Sequence, residues 1–186
     1  MKNLIEDIYK TIEPLSEGKA LDISEEQIED FGEAMKDVMR SWANPTKRDS
    51  EFSLRMSNIG KPVRRLWFDS KYKYESEESK PAPHTQIKFL YGHMLEELVK
   101  LFVSLSGHEI TGEQKEVVVD SVSGHIDCII DGEVVDIKTA SGFAFNKFKH
   151  GTLREDDPFG YLGQLAGYEE SEGTDNGGLL VINKES

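Results

Sequence analysis

Only one of the 186 residues is a cysteine, Cys128. An internal disulfide and a zinc site built on several thiolates are thereby excluded. Cys128 itself reads as a small hydrophobe inside a strand. Long apolar runs are missing too, and none approaches the roughly 20 residues of a membrane-spanning helix. The first residues, MKNLIEDIYKTIEP, interrupt their apolar positions with acids and do not read as a signal peptide. A cytoplasmic protein without a membrane partner is expected. Positive charge is also scarce: 22 lysines and arginines stand against 35 acids, a net charge of −13. That balance argues against non-specific adhesion to nucleic acid or anionic lipid.

What is present is an ordinary globular composition, 37% hydrophobic and 31% charged, enough for one domain with a helical appendage. Charge is unevenly spread. Residues 1–37 are strongly acidic. Residues 61–73 hold Lys61, Arg64, Arg65, Lys71 and Lys73 against Asp69 alone, and from Lys138 to Arg154 there is no acid. Two basic islands in an acidic chain are compatible with a local anionic ligand.

Leu4, Ile5, Ile8 and Ile12 have helical spacing closed by Pro14. Ser24 with Gln27 reads as a capping box before Ile28, Phe31, Met35, Val38 and Trp42, and Asn44-Pro45 should stop that helix. Residues 44–60 read as loop with a short turn, and Lys61-Pro62 as the start of a helix through Tyr72. The polar, proline-containing stretch 75–84 reads as a linker. It divides a helical region, 1–80, from a core, 85–186. The core opens with a helical stripe from Tyr91 to Leu105 that ends at Gly107. Three strand candidates follow, 115–120, 122–130 and 133–138, then a helix over 156–170 and a last strand, LLVIN, in the order αβββαβ. The chain stops soon after that strand, which leaves room for a longer natural C-terminus.

Asp131-Gly132 between two apolar segments is a strong hairpin signal for a two-residue turn. Paired residues then sum to 263, so Cys128 faces Val135, Asp127 faces Asp136 and His125 faces Lys138. Like charges placed directly opposite are destabilising. A divalent cation between the two carboxylates is the simplest remedy, and oxygen ligands suit Mg²⁺ or Mn²⁺. Lys138 points to the same side as Asp136. Acid-x-Lys triplets are not rare here, and four others fall in loop, helix or strand-edge sequence. Asp136-Ile137-Lys138 differs in having an opposed acid and apolar flanks. A sheet-face ion pair is the alternative, and it leaves Asp127 unexplained.

These residues resemble the PD-(D/E)XK nuclease superfamily. YGHMLEEL (91–98) is similar to the Gly-x-x-x-Glu helix of phage exonucleases and RecB-like nucleases, and GQLAGY (163–168) to the Gln-x-x-x-Tyr motif of the RecB-like branch. Four motifs occur in the right order over about residues 85–183. The eponymous Pro-Asp is absent, since Ile126 precedes Asp127.

The resemblance implies a restriction-endonuclease-like α+β fold with a mixed central sheet flanked by helices. It implies an Mg²⁺- or Mn²⁺-dependent deoxyribonuclease, an exonuclease of phage replication or recombination rather than a restriction enzyme. DNA with a free end would be the substrate, and a single-strand-binding or recombination protein a partner. Glu96, with Glu97 as rival, Asp127, Asp136 and the Ile137 carbonyl would be the metal ligands. Lys138 would orient or activate the attacking water. Gln164 and Tyr168, one helical turn apart, would steady the DNA strand or the site, unless they are simply a buried polar pair. The cysteine-ligated iron–sulfur cluster of some relatives is excluded by the single thiol. Arg64 and Arg65 beside Trp67-Phe68 would grip the backbone and stack a base, or cover the core. His93 reads as a helix-surface residue, and His84, His108 and His150 fit no pattern. Two other readings stay open: a catalytically inactive DNA-binding or assembly module on the same fold, and an acidic DNA mimic that binds a DNA-binding protein.

Overall fold

The structure, a computed structural model, describes residues 1–44, 52–72 and 81–185. The stop expected at Pro45 and the linker residues 75–80 lie outside them. Helix α1 spans Leu4–Ser16 and α2 Glu25–Ala43. Ser24 caps α2 as its spacing predicts: its hydroxyl accepts from the Gln27 amide, and the Gln27 side chain accepts from the Ser24 amide. Pro14 does not close α1, which runs on to Ser16. Proline removes one donor but leaves its own carbonyl, and the amides of Glu17 and Lys19 both close on that oxygen. The short α3 (Met56–Ile59) and α4 (Val63–Tyr72) precede the long α5 (Pro83–Leu105), which takes in Pro83 and His84 from the expected linker. Proline suits that first position because its missing N–H is unpaired there anyway.

Helix α5 leads into a four-stranded mixed sheet of β1 (Ile110–Thr111), β4 (Cys128–Ile130), β5 (Glu133–Ala140) and β6 (Gly178–Asn183), in the order β1-β4-β5-β6. β4 and β5 pair antiparallel and β5 and β6 parallel. The Asp131-Gly132 turn holds positive φ values of 51° and 81°, and the register below it is the expected one: Ile130 faces Glu133 and Cys128 faces Val135. A separate hairpin joins β2 (Lys115–Val119) to β3 (Val122–Ile126). Helices α6 (Gly142–Lys149) and α7 (Tyr161–Glu172) lie between β5 and β6. The fold is α+β, with an N-terminal helical region. β1 and α6 are additions to the expected element order.

One strand expectation fails. Residues 122–130 are not one strand but two, β3 and β4, broken at Asp127. Asp120 and Ser121 both adopt positive φ, 46° and 68°, and fold β3 back on β2 instead of letting it continue in the main sheet. His125 therefore faces Glu116 on β2, in solvent, and not Lys138.

Side chains alternate across β5, so the sheet buries two cores. On one face Val135 and Ile137 join Leu4, Val103, Cys128, Ile130 and Leu180. On the other Val134 joins Met56, Val117, Ile126 and Tyr168. The N-terminal helices thus contribute to both cores, through Leu4 and Met56. Met56 is 1% exposed, and Met56→Ala is expected to cost about 2–5 kcal/mol. Met39→Ala, at a position 52% exposed, should stay within about 0.5 kcal/mol. Urea unfolding checks both, at unchanged m-value. Among the described residues no helix is long and apolar enough to cross a membrane.

Candidate metal centre

β5 runs between an antiparallel and a parallel neighbour, so it is buried along most of its length and reads as the near-continuous apolar run VVDI. Asp136 sits inside that run with 0% exposure. Lys138, two residues on, shares its face. Its Nζ stands 2.6 Å from Asp136 Oδ2, an ion pair without the alignment of a directed hydrogen bond. Both Asp136 oxygens are buried and lack a hydrogen-bond partner among the described residues. Asp127 lies beyond the last ladder pair of β4. The expected direct pairing with Asp136 is therefore not made; instead Asp127 Oδ2 accepts the Ile137 amide at 2.7 Å, which brings its charge to bear on Asp136.

The electrostatics follow from this crowding. Burial, reinforced by Asp127 and opposed by Lys138, pushes the Asp136 carboxyl up to about 6. Burial also raises Asp127, against the pull of Lys138 and the Ile137 amide. Burial lowers the affinity of Lys138 for its proton, but Asp136 and Asp127 outweigh it and hold the ammonium above its ordinary value. Glu96 on α5 is pushed up to about 7 by burial first and the Asp127 charge second. Cys128, buried beside this group, is pushed up to about 12 by burial and is an inert thiol.

Glu96 and Glu97 part company in three dimensions. Glu97 turns to Lys100, at 2.8 Å, which also holds Glu113 at 2.8 Å. Glu96 turns toward Asp127 and Lys138, and its Oε1 accepts from Gln114 Nε2 at 3.1 Å. Of the two, Glu96 therefore shares the field of Asp127 and Lys138, while Glu97 is held by Lys100. Among the described residues no three acid, histidine or cysteine side chains already converge as ligands of one ion. The donor set nevertheless suits a hard divalent cation: three carboxylates in one field, with an unpartnered buried carboxylate at the centre.

Helix α7 supplies the other wall. Asp157 caps it, accepting from the amides of Gly160 and Leu162 at 2.9 Å each. Tyr161 then lies under Lys138, whose Nζ stands 5.6 Å from the ring centre, and stacks on Phe159 at 5.4 Å. Gln164 and Tyr168 are buried and bonded to each other, Nε2 to Oη at 2.9 Å. Tyr168→Phe would leave the Gln164 amide buried without its acceptor, an expected loss of about 1–3 kcal/mol. Gln164→Leu with Tyr168→Phe should recover part of it in the same unfolding measurement.

The site opens into a cleft of ≈ 560 Å³ bordered by Glu96, Ile137, Lys138, Gln164, Lys61 and Lys88. His93 is the exposed helix-surface residue expected; it borders the cleft as well, and its Nδ1 accepts from Trp42 Nε1 at 3.2 Å. Arg64 and Arg65 lie on α4 and neither borders the cleft. Arg65 pairs with Asp69 at 3.0 Å, and Arg64 lies 5.8 Å over the Phe68 ring. His108, which fitted no pattern, bonds Asp131 at the hairpin turn at 2.6 Å. Tyr161 and Lys88 carry no signal in the sequence and Lys61 only that of a basic island, because the tertiary fold alone brings them to the cleft of Lys138.

No family model matches the chain, and no curated protein does. Among solved structures it is similar to the crystal structure of SSO0001, with 19% sequence identity over 82% of this chain and 72% of that one and a TM-score of 0.41. That likeness is too remote to carry an assignment.

Proposed function

We propose that the chain is a divalent-metal-dependent DNA nuclease that hydrolyses phosphodiester bonds, an exonuclease of phage replication or recombination. The observation that carries this reading is Asp136. A fully buried carboxylate without a hydrogen-bond donor is costly, and a structural protein would have little reason to keep it beside Asp127. Asp127, Asp136 and the Ile137 carbonyl would hold Mg²⁺ or Mn²⁺, and Glu96 would join them by releasing Gln114. Once bound, such an ion supplies positive charge against the phosphate oxygens. The chain's own residues do the remaining work. Lys138, fixed between Asp136 and the Tyr161 ring, presents its ammonium to a phosphate in the cleft and orients the attacking water. The Gln164–Tyr168 pair stiffens the wall behind it.

The test is degradation of linear single- and double-stranded DNA with Mg²⁺ or Mn²⁺ and with a chelator. Metal-dependent loss of strand length is expected, and neither Lys138→Ala nor Asp136→Ala should retain it. Activity unchanged in both variants would sink the reading. A second reading, a catalytically inactive DNA-binding or assembly module, is favoured by the lack of three converged ligands among the described residues. Calorimetric titration with Mn²⁺ separates the two: a nuclease binds the ion and the inactive module does not.

A further inference from the structure

The loop after α3 touches α7 with no side chain between them. A Cβ on Gly60 would lie 2.6 Å from Gly160 Cα, and a Cβ on Gly163 would lie 2.6 Å from Gly60 Cα. Neither can be accommodated without moving backbone. One turn earlier, Met56 fills the space over Gly124, where an added Cβ would stand 2.6 Å from the Met56 Cβ. The segment is therefore keyed to α7 and β3 by backbone contact and a buried anchor, which leaves it little freedom to slide. The next residue, Lys61, borders the cleft that holds Lys138, and Lys88 on α5 borders it as well. Among the described residues neither has a carboxylate within ion-pair distance, whereas Lys138 is committed to Asp136 and Lys147 to Asp156.

We propose that Lys61 and Lys88 form a phosphate-binding subsite beside Lys138, and that the contact of Gly60 with Gly160 and Gly163 is the device that seats Lys61 in it. The ligand is the phosphodiester backbone of a nucleic acid, and the inference rests on the nuclease reading above. A chain of net charge −13 with three carboxylates at the site repels a polyanion. Two ammonium groups on the cleft wall, without a carboxylate partner among the described residues, supply local attraction without reading bases, as lysine point charges do. The backbone grip first assigned to Arg64 and Arg65 moves to Lys61 and Lys88, since Arg65 is held by Asp69 and neither arginine reaches the cleft.

The experiment measures binding of a fluorescein-labelled linear oligonucleotide by anisotropy over a salt series, in Mg²⁺, with Lys138→Ala as background so that the strand stays intact. Lys61→Ala and Lys88→Ala should each reduce the slope of log affinity against log salt by about 0.7–0.9. Lys36→Ala, at a lysine paired with Glu33 on α2, should leave the slope unchanged. Gly163→Ala should reproduce the loss seen in Lys61→Ala and add nothing when combined with it. If Gly163→Ala fails to fold, the two lysine variants decide alone. Binding with an unchanged slope in both lysine variants overturns the subsite and leaves the nuclease reading standing. No binding of any strand overturns both.

Discussion

Lys138→Ala is expected to lower the rate of DNA degradation by about 10²–10³-fold, the usual cost of removing one preorganised group aimed at a developing charge. Lys138 is well placed for that role. Its side chain is 19% exposed, so the ammonium is shielded from water yet open to the cleft, and two contacts fix it: Asp136 at 2.6 Å and the Tyr161 ring at 5.6 Å. The fold should survive, because Asp136 already sits near 6 and can take up a proton when its partner is lost. Lys138→Arg should recover little, since a planar fork does not replace a compact ammonium over an aromatic ring. Lys115→Ala, which removes the ion pair between Lys115 on β2 and Glu172 at the end of α7, should leave the rate within about twofold, as is usual for surface changes. Circular dichroism on each variant separates loss of chemistry from loss of fold.

The metal-free chain is expected to lose stability as pH rises from about 4 to about 7, opposite to the behaviour of salt-bridged carboxylates. Asp136 and Glu96 titrate near 6 and 7 in the fold against 3.8 and 4.5 ordinarily. In that window the folded state keeps protons that the unfolded state has released, so raising pH favours unfolding. At about 1.4 kcal/mol per pKa unit Asp136 alone withdraws on the order of 3 kcal/mol across the window, and Glu96, partly solvated, adds less than its full shift would give. Lys138, held above its ordinary 10.5, withdraws its contribution only at higher pH, outside the window. Mn²⁺ takes the deprotonated carboxylates, so its stabilisation should grow from pH 5 to pH 8, and Asp136→Asn should flatten the pH dependence. Thermal unfolding with and without Mn²⁺ over that range is the check. A melting temperature that rises with pH in the metal-free chain would contradict the electrostatics of the site.

How much of this was legible beforehand depended on whether local chemistry or tertiary contact decided each point. The Asp131-Gly132 turn fixed a register through Cys128 and Val135 because that dipeptide accepts positive φ at both positions. The Asp120-Ser121 turn also holds positive φ at both positions, but with serine where glycine would have been the signal. The break at Asp127 and the true place of His125 were therefore hidden. The Ser24 box was readable because both its bonds are local. Glu96 could not be told from Glu97 by spacing, since Lys100 and Gln114 make the choice and both act through folded geometry. Lys61 was readable only as part of a basic island and Lys88 carried no signal, because the Gly60–Gly160 contact that sets Lys61 beside the cleft joins residues far apart in the chain.

The centre of the account is that Asp127 and Asp136, joined by Glu96, hold a divalent cation. A crystal soaked in Mn²⁺ and measured at the manganese absorption edge tests it directly. The expected result is an anomalous peak between the Asp127 and Asp136 carboxylates, at about 2.0–2.3 Å from their oxygens, with Glu96 turned from Gln114 toward it. Density empty between the two aspartates, or a peak held by Glu97 and Glu113 instead, would contradict the account.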